Sequence, residues 1–223
     1  MKVELLAFTP DPEKIAAVSA RSCRSMKSAK ELLESENEEK LLKVLKTCVE
    51  LGHTSVLEHA VFTFSISGIS RACTHELVRH RIASYSQQSQ RTVKMESDIY
   101  IVPPSVREKP EAMAVYQEVM TKVKDAYSKL VEMGIPLEDA RYVLTNATPT
   151  NIVVTMNARS LLNFFELRCC LKAQWEIREL ANEMLRLVKK IAPRIFEKAG
   201  PPCISRKTCP YKDESCPMFK VTL

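Results

Sequence analysis

Four glycines in 223 residues, Gly52, Gly68, Gly134 and Gly200, each isolated from the others, restrict this chain more than any other feature of its sequence. Glycine lets a backbone turn through left-handed conformations and approach a phosphate closely. Nucleotide-binding folds built on G-x-G-x-x-G or a Walker loop need several of them in one short segment. Neither loop can be made here. A phosphorylated ligand would have to be held by side chains and helix N-termini instead, and each glycine fits a turn or a helix end.

The remaining composition narrows the class. A chain of this length can bury one good core, and 45% hydrophobic with 27% charged residues is ordinary for a globular domain. The balance of 33 Lys+Arg against 27 Asp+Glu gives +6, which suits small anionic ligands and falls short of the basic block of a nucleic-acid binder. No run of about 18 apolar residues exists, and MKVELLAFTPDPEK carries acids where a signal peptide has an apolar core. The expectation is a cytoplasmic protein without membrane attachment. Of eight cysteines, Cys23, Cys48, Cys73, Cys169 and Cys170 sit in apolar or helical contexts and read as free thiols.

Periodicity predicts a strand over MKVELLAF, then a helix opened by a capping Asp11 with Pro12 in its first turn and carrying Ile15, Ala16 and Val18. A second helix follows Asn37, with Leu41, Leu42, Leu45, Cys48 and Val49 at helical spacing and Gly52 as its stop. Ala60 to Ser67 alternates, setting Phe62, Phe64 and Ile66 on one strand face. Ser70 is suited to cap a helix over RACTHELVRHR that ends at Arg79, His80 and Arg81. IASYSQQSQR reads as an ordered loop with strand-like pieces, followed by a strand Ile99 to Val102. A long helix runs from Pro110 to Met133 with Ala112, Tyr116, Val119, Val123, Ala126 and Leu130 as its stripe, and a short one covers Leu137 to Leu144. Asn151 to Met156 is a strand, Asn157 caps ARSLLNFFELRCC, and a final helix runs from Ala173 to Ala199 with a kink at Pro193. The fold class is α+β: a single mixed domain with a small antiparallel or mixed sheet and several long helices.

The densest polar group is Arg79-His80-Arg81 with Ser84 to Ser89 and Arg91. It combines cations for phosphate with amides and hydroxyls that read the edges of a heterocycle. A helix C-terminus capped by cations and followed by a solvated loop would look the same on residue types alone. Spacing adds a second argument. RHR, seven residues and then Ser89, within RHRIASYSQQSQR, resembles the signature of the flavin-dependent thymidylate synthases, and GHTSVLEHAVFTFSIS, DARYVL and MNARSLLNFFELRCCLKAQWEIRELA resemble family segments in the same order.

The resemblance implies a homotetramer with shared active sites that binds FAD and dUMP, takes its carbon from methylenetetrahydrofolate and its electrons from NADPH. It puts Ser55, Arg79, His80, Arg81, Gln87, Asn157, Arg159 and Asn163 at FAD. It puts Glu76, Leu77, Val78, Arg79, Gln87, Gln88, Ser89, Gln90, Arg91, Arg141 and Arg168 at dUMP, with Arg168 as the catalytic residue that stabilises charge on the uracil ring. Arg159 and Asn163 are four apart and share a helix face, whereas Arg168 lies nine residues after Arg159, about half a turn away, and is expected to address something else or to lie where the helix bends. Asn157 as a simple N-cap and Arg159 as a partner for a surface acid are the structural alternatives. Glu76 stands where many relatives have glutamine, and Gln87 where some have glutamate. Ser89 is expected to position substrate, since no adjacent base would activate it as a nucleophile.

His53, His59, His75 and His80 lack metal-ligand spacing, and no metal is expected. The C-terminal Cys203, Cys209 and Cys216 are spaced loosely enough to suit either a reduced loop or a metal. Residues 1–200 are expected to form the catalytic domain and 201–223 a Cys- and Pro-containing tail.

Overall fold

The structure is a computed structural model that describes residues 1–95 and 100–218. β1 (Lys2–Phe8) leads to α1 (Pro12–Ser22), α2 (Ala29–Ser35) and α3 (Glu38–Glu50), and a 3-10 turn over Thr54–His59 precedes β2 (Val61–Ser70). β2 runs straight into α4 (Arg71–Leu77), followed by β3 (Ser84–Gln87), α5 (Pro104–Arg107), α6 (Pro110–Glu132), α7 (Leu137–Ala140) and a 3-10 turn over Arg141–Val143. β4 (Pro149–Asn157) runs straight into α8 (Ala158–Arg168), and α9 (Trp175–Ile191), α10 (Pro193–Phe196) and α11 (Pro202–Ser205) follow. The strands form one antiparallel sheet in the order β1-β2-β4-β3, so the α+β expectation holds.

The centre of the sheet is set by the alternation in β2. Thr63 and Thr155 share a hydroxyl hydrogen bond of 3.0 Å across β2 and β4, and the Ala158 N–H donates to the Ala60 carbonyl at 2.7 Å. That antiparallel register sets Phe62 opposite Met156, Phe64 opposite Val154 and Ile66 opposite Ile152, and all six side chains are buried. Each contributes about 1.5–3 kcal/mol by leaving water. Against Phe62 and Phe165 stands Phe196, edge-on to both at 5.7 and 5.9 Å, the arrangement aromatic quadrupoles prefer.

Three helix starts follow their caps. Asn37 accepts from Lys40 N, Ser70 from Cys73 N and Asn157 from Ser160 N. Asp11 does not cap α1 with its side chain, because its backbone is left-handed (φ 46°, ψ 57°) rather than extended. α2 was not anticipated from the sequence; a capping box, in which Ser28 and Glu31 bond each other's backbone N–H, builds it.

Four other expectations need correction. α4 ends at Leu77, so Arg79, His80 and Arg81 lie beyond it; the His80 carbonyl, which a continuing helix would use, accepts instead from the Tyr85 hydroxyl at 2.7 Å. The inward face of α6 runs through Met113, Tyr116, Met120, Val123, Tyr127 and Leu130, with only Met120 and Tyr127 fully buried, while Val119 is 45% exposed. Tyr100 to Val102 are not in a strand, with Pro103 and Pro104 immediately following, and Ile99 lies outside the described residues. The final helix is broken rather than kinked: Ala192 leaves helical geometry (φ −134°, ψ 66°) ahead of Pro193, whose ring cannot follow a helical residue.

That break is held from the other end of the chain. The nearly buried Glu13 carboxylate accepts from Arg194 N and Ile195 N, two amides that Pro193 leaves open, and from Arg194 Nη1 at 2.8 Å.

The residues form two compact groups. One comprises Met1–Lys2, Ile66–Arg79 and Ser86–Ile152, and the other Val3–Ser65, His80–Tyr85 and Val153–Leu223. The site residues are described below within their own groups.

Replacing Glu13 with alanine leaves one buried and one part-buried amide unpaired and frees Arg194, at an expected cost of about 2–4 kcal/mol. Urea unfolding of Glu13→Ala against the parent checks this; a loss under 1 kcal/mol would show that water replaces the carboxylate.

Candidate functional site

In the second group, α8 carries three of the expected ligand residues in different directions. Arg159, exposed in the first turn, pairs with Glu58 at 2.5 Å. Asn163, one turn further on, is exposed. Arg168, at the helix end, donates its Nε–H to His80 Nε2 at 3.1 Å. Arg159 and Arg168 thus take different partners, as their nine-residue separation requires.

The Arg168 bond determines the state of His80. A guanidinium can only donate, so the ring nitrogen facing it must be the acceptor, and the imidazole is neutral with its proton on Nδ1. Burial, and then the charge of Arg168, push the His80 pKa down to about 4. Phe164 meets the imidazole edge-on at 4.9 Å, and the neighbouring Tyr85 phenol is pushed up to about 12 by its own burial. The pair therefore presents one fixed positive charge, on Arg168, with its guanidinium plane set by a neutral acceptor. Ser55 and Arg81 are exposed in the same group, and Asn157 caps α8.

The first group holds the other polar set. Gln87 donates its amide to Thr74 Oγ1 at 3.0 Å and Thr150 Oγ1 at 3.4 Å, so what it offers a ligand is its acceptor oxygen. Ser89 Oγ accepts from Arg91 N at 3.1 Å, a local turn that fits positioning. Arg91 pairs with Glu138 at 2.6 Å, and Arg141 donates Nε–H to the Glu138 carbonyl at 3.0 Å. Gln88, whose N–H is bonded to Asn151 O, accepts at its carbonyl from Arg71 Nη2 at 2.9 Å. Glu76 and Gln90 are half-buried, Val78 and Arg79 exposed, and the Leu77 side chain is fully buried, so Leu77 can meet a ligand only through its backbone.

The expected flavin residues fall in the second group, except Arg79 and Gln87. The expected nucleotide residues fall in the first, except Arg168. A cavity of about 320 Å³ in the first group, lined by residues such as Met120, Tyr127 and Thr148, includes none of them. Sequence reasoning missed Arg71, Thr74, Thr150 and Glu138. For Arg71 a signal existed: a cation in the first turn of a capped helix opposes the helix dipole and calls for a reason.

The tail is tied to the end of α8. Arg206 pairs with Glu166, Ser205 Oγ donates to the same carboxylate at 3.3 Å, and Lys172 pairs with Asp213 at 2.5 Å. Cys170, Cys203, Cys209 and Cys216 line one small pocket there. Among the described residues no group of three or more His, Cys, Asp or Glu is placed to hold a metal ion, and no helix is long and apolar enough to cross a membrane.

Residues 4–194 match the family described as thymidylate synthase complementing protein, Thy1. The chain is 53% identical to a flavin-dependent thymidylate synthase of Geobacter sulfurreducens, over 97% of this chain and 94% of that one. It is 46% identical to the Sulfurisphaera tokodaii flavin-dependent thymidylate synthase over 92% and 79%, and 41% identical to that of Pyrococcus horikoshii over 96% and 91%.

The state of His80 has a pH consequence. Unfolded, it takes a proton near its ordinary value of 6.5; folded, only near 4. Its contribution to stability is therefore constant above pH 6.5 and falls as pH drops toward 4, with a slope below about 1.4 kcal/mol per unit because the ring is partly solvated. His80→Gln keeps an acceptor and does not titrate. Urea unfolding at pH 7.5 and 5 is expected to show a smaller loss in the variant; equal losses would mean that His80 is not held neutral.

Proposed function

The chain belongs to the thymidylate synthase complementing protein family, and we propose that it methylates dUMP to dTMP with FAD as bound cofactor, methylenetetrahydrofolate as carbon donor and NADPH as reductant. The observation that carries this reading is Arg168 held through Nε by a neutral His80: a single oriented cation at the end of a helix whose other face carries exposed donors.

The donor sets fit both ligands. For FAD, Arg159, Asn163, Ser55 and Arg81 are exposed polar groups of one compact group and supply cations, an amide and a hydroxyl in place of a glycine loop, with His80, Asn157, Arg79 and Gln87 completing the set. Arg159 would exchange Glu58 for a flavin phosphate. For dUMP, Arg91 and Arg141 suit the phosphate and the Gln87 acceptor oxygen suits a ribose hydroxyl. The 76–79 and 87–91 segments line the nucleotide, and Ser89 orients it. When bound, FAD supplies the hydride chemistry that side chains lack. The protein's own catalytic contribution is electrostatic: the Arg168 guanidinium stabilises negative charge developing on the uracil imide, and its orientation by His80 means that little reorganisation is needed.

The enzyme works in the cytoplasm as a homotetramer with active sites shared between subunits, independent of nucleic acid and membrane. Residues 1–200 form its catalytic domain and 201–223 its tail, in which Ser205 and Arg206 brace the end of α8 through Glu166.

Arg168→Lys keeps the charge and loses the planar fork. It is expected to retain flavin and to lower dTMP formation at saturating dUMP by about 10²- to 10³-fold. Near-normal turnover would return Arg168 to the role of a structural partner for His80. Asn163→Ala, by contrast, is expected to purify with less flavin, read from the visible absorbance per subunit; full flavin content would remove Asn163 from that site.

A further inference from the structure

Three elements of the first group meet at one side chain. Gln87 closes β3, Thr150 stands in the neighbouring strand β4, and Thr74 lies in α4. The two strands are joined beside it by the Gln88 N–H, which donates to the Asn151 carbonyl at 2.9 Å. Thr74 and Thr150 are buried, whereas Gln87 is only half-buried. The threonines therefore act on a ligand only through the amide they hold.

Proton accounting fixes which way round that amide stands. The Thr74 hydroxyl donates its one proton to the Arg71 carbonyl at 2.9 Å, a bond threonine makes to the preceding turn of its own helix. Toward Gln87 it has lone pairs alone. The group that stands 3.0 Å from it must donate, and in a carboxamide only the nitrogen does. Thr150 Oγ1 lies 3.4 Å from the same nitrogen. The terminal torsion of a glutamine has little preference of its own between the two amide orientations. Turned over here, however, the amide would set its oxygen against the lone pairs of Thr74 and take both N–H groups from their acceptors. A carboxylate at position 87 would meet the same obstacle, so the committed Thr74 proton selects glutamine as well as orienting it.

We propose that Thr74 is a positioning residue of the nucleotide site: by withholding its proton from Gln87 it holds the amide oxygen toward the ligand, so that the site takes a group that donates a hydrogen bond and rejects one that only accepts. The proposal rests on the reading above that Gln87 meets the ribose hydroxyl of dUMP, and adds to it the residue that makes this contact one-directional.

The test is equilibrium binding to the FAD-loaded protein of dUMP and of its 3′-fluoro analogue, which is close in size and cannot donate. The parent is expected to prefer dUMP by about tenfold or more. In Thr74→Val the amide can turn its N–H outward, and the preference is expected to fall below about threefold. Thr74→Ser, which keeps the hydroxyl, is expected to retain the parent's preference. If Thr74→Val weakens both ligands equally, or binds both as the parent does, Thr74 only packs α4 and the proposal is wrong. Should the valine variant not fold, Thr74→Ala decides by the same ratio: a reduced preference supports the proposal and an unchanged one overturns it. A parent without preference, or a Gln87→Leu variant that keeps it, would instead bring down the assignment of Gln87 to the ribose hydroxyl, and the proposal with it.

Discussion

The antiparallel pairing of β2 with β4 is the constraint from which the rest of the structure follows. Its register is fixed by six buried side chains on one face and by the Thr63–Thr155 hydrogen bond on the other. A slip of one residue would turn Phe62, Phe64 and Ile66 to the opposite face and expose what they bury. Each strand ends in the cap of a helix: Ser70 opens α4 and Asn157 opens α8. The helices carrying the polar residues are therefore launched at positions set to within one residue by the core, and their side chains inherit that precision. On α8 this holds Arg159, Asn163 and Arg168 in a defined register to the core beneath them.

Doing without glycine-rich loops has an electrostatic price. Backbone amides bind phosphate without carrying net charge, whereas guanidiniums repel one another whenever the ligand is absent. The protein answers this in two ways. Arg91 and Arg159 are neutralised by Glu138 and Glu58. Arg168 faces an imidazole kept unprotonated by burial, so the two basic side chains touch without sharing like charge.

Legibility in the sequence tracked how local the deciding interaction was. Strand alternation in β2, the caps at Asn37, Ser70 and Asn157, and the stop at Gly134 depend on neighbours a few residues away, and all were readable. The early end of α4 depends on a Tyr85 hydroxyl reaching back to the His80 carbonyl, and the break before α10 is completed by Glu13, far away in the chain. The stripe of α6 was right at Tyr116, Val123 and Leu130 and one position off at Ala112, Val119 and Ala126, where the larger Met113, Met120 and Tyr127 face inward instead. For the site, the residues expected at the ligands came from the family signature, and their division between two compact groups was not legible. Thr74 and Thr150 show why: a threonine within a helix or strand carries no mark of function until a Gln87 amide is seen between the two.

The structural and functional readings of α8 are compatible on energetic grounds. Asn157 caps the helix through Oδ1 alone, which commits only the carbonyl end of its amide. The Arg159–Glu58 pair is half-exposed on both sides, and pairs of that kind contribute about 1 kcal/mol or less. A phosphate oxygen arriving at Arg159 offers a charge-assisted bond at least as strong, so exchanging Glu58 for it costs little. The opposite holds for Arg168, whose partner is a partly buried neutral ring that cannot leave without exposing Phe164 beneath it. One helix thus carries a cation free to change partners near its start and a cation whose orientation is fixed at its end, the combination that the proposed roles of Arg159 at the cofactor and Arg168 at the uracil ring require.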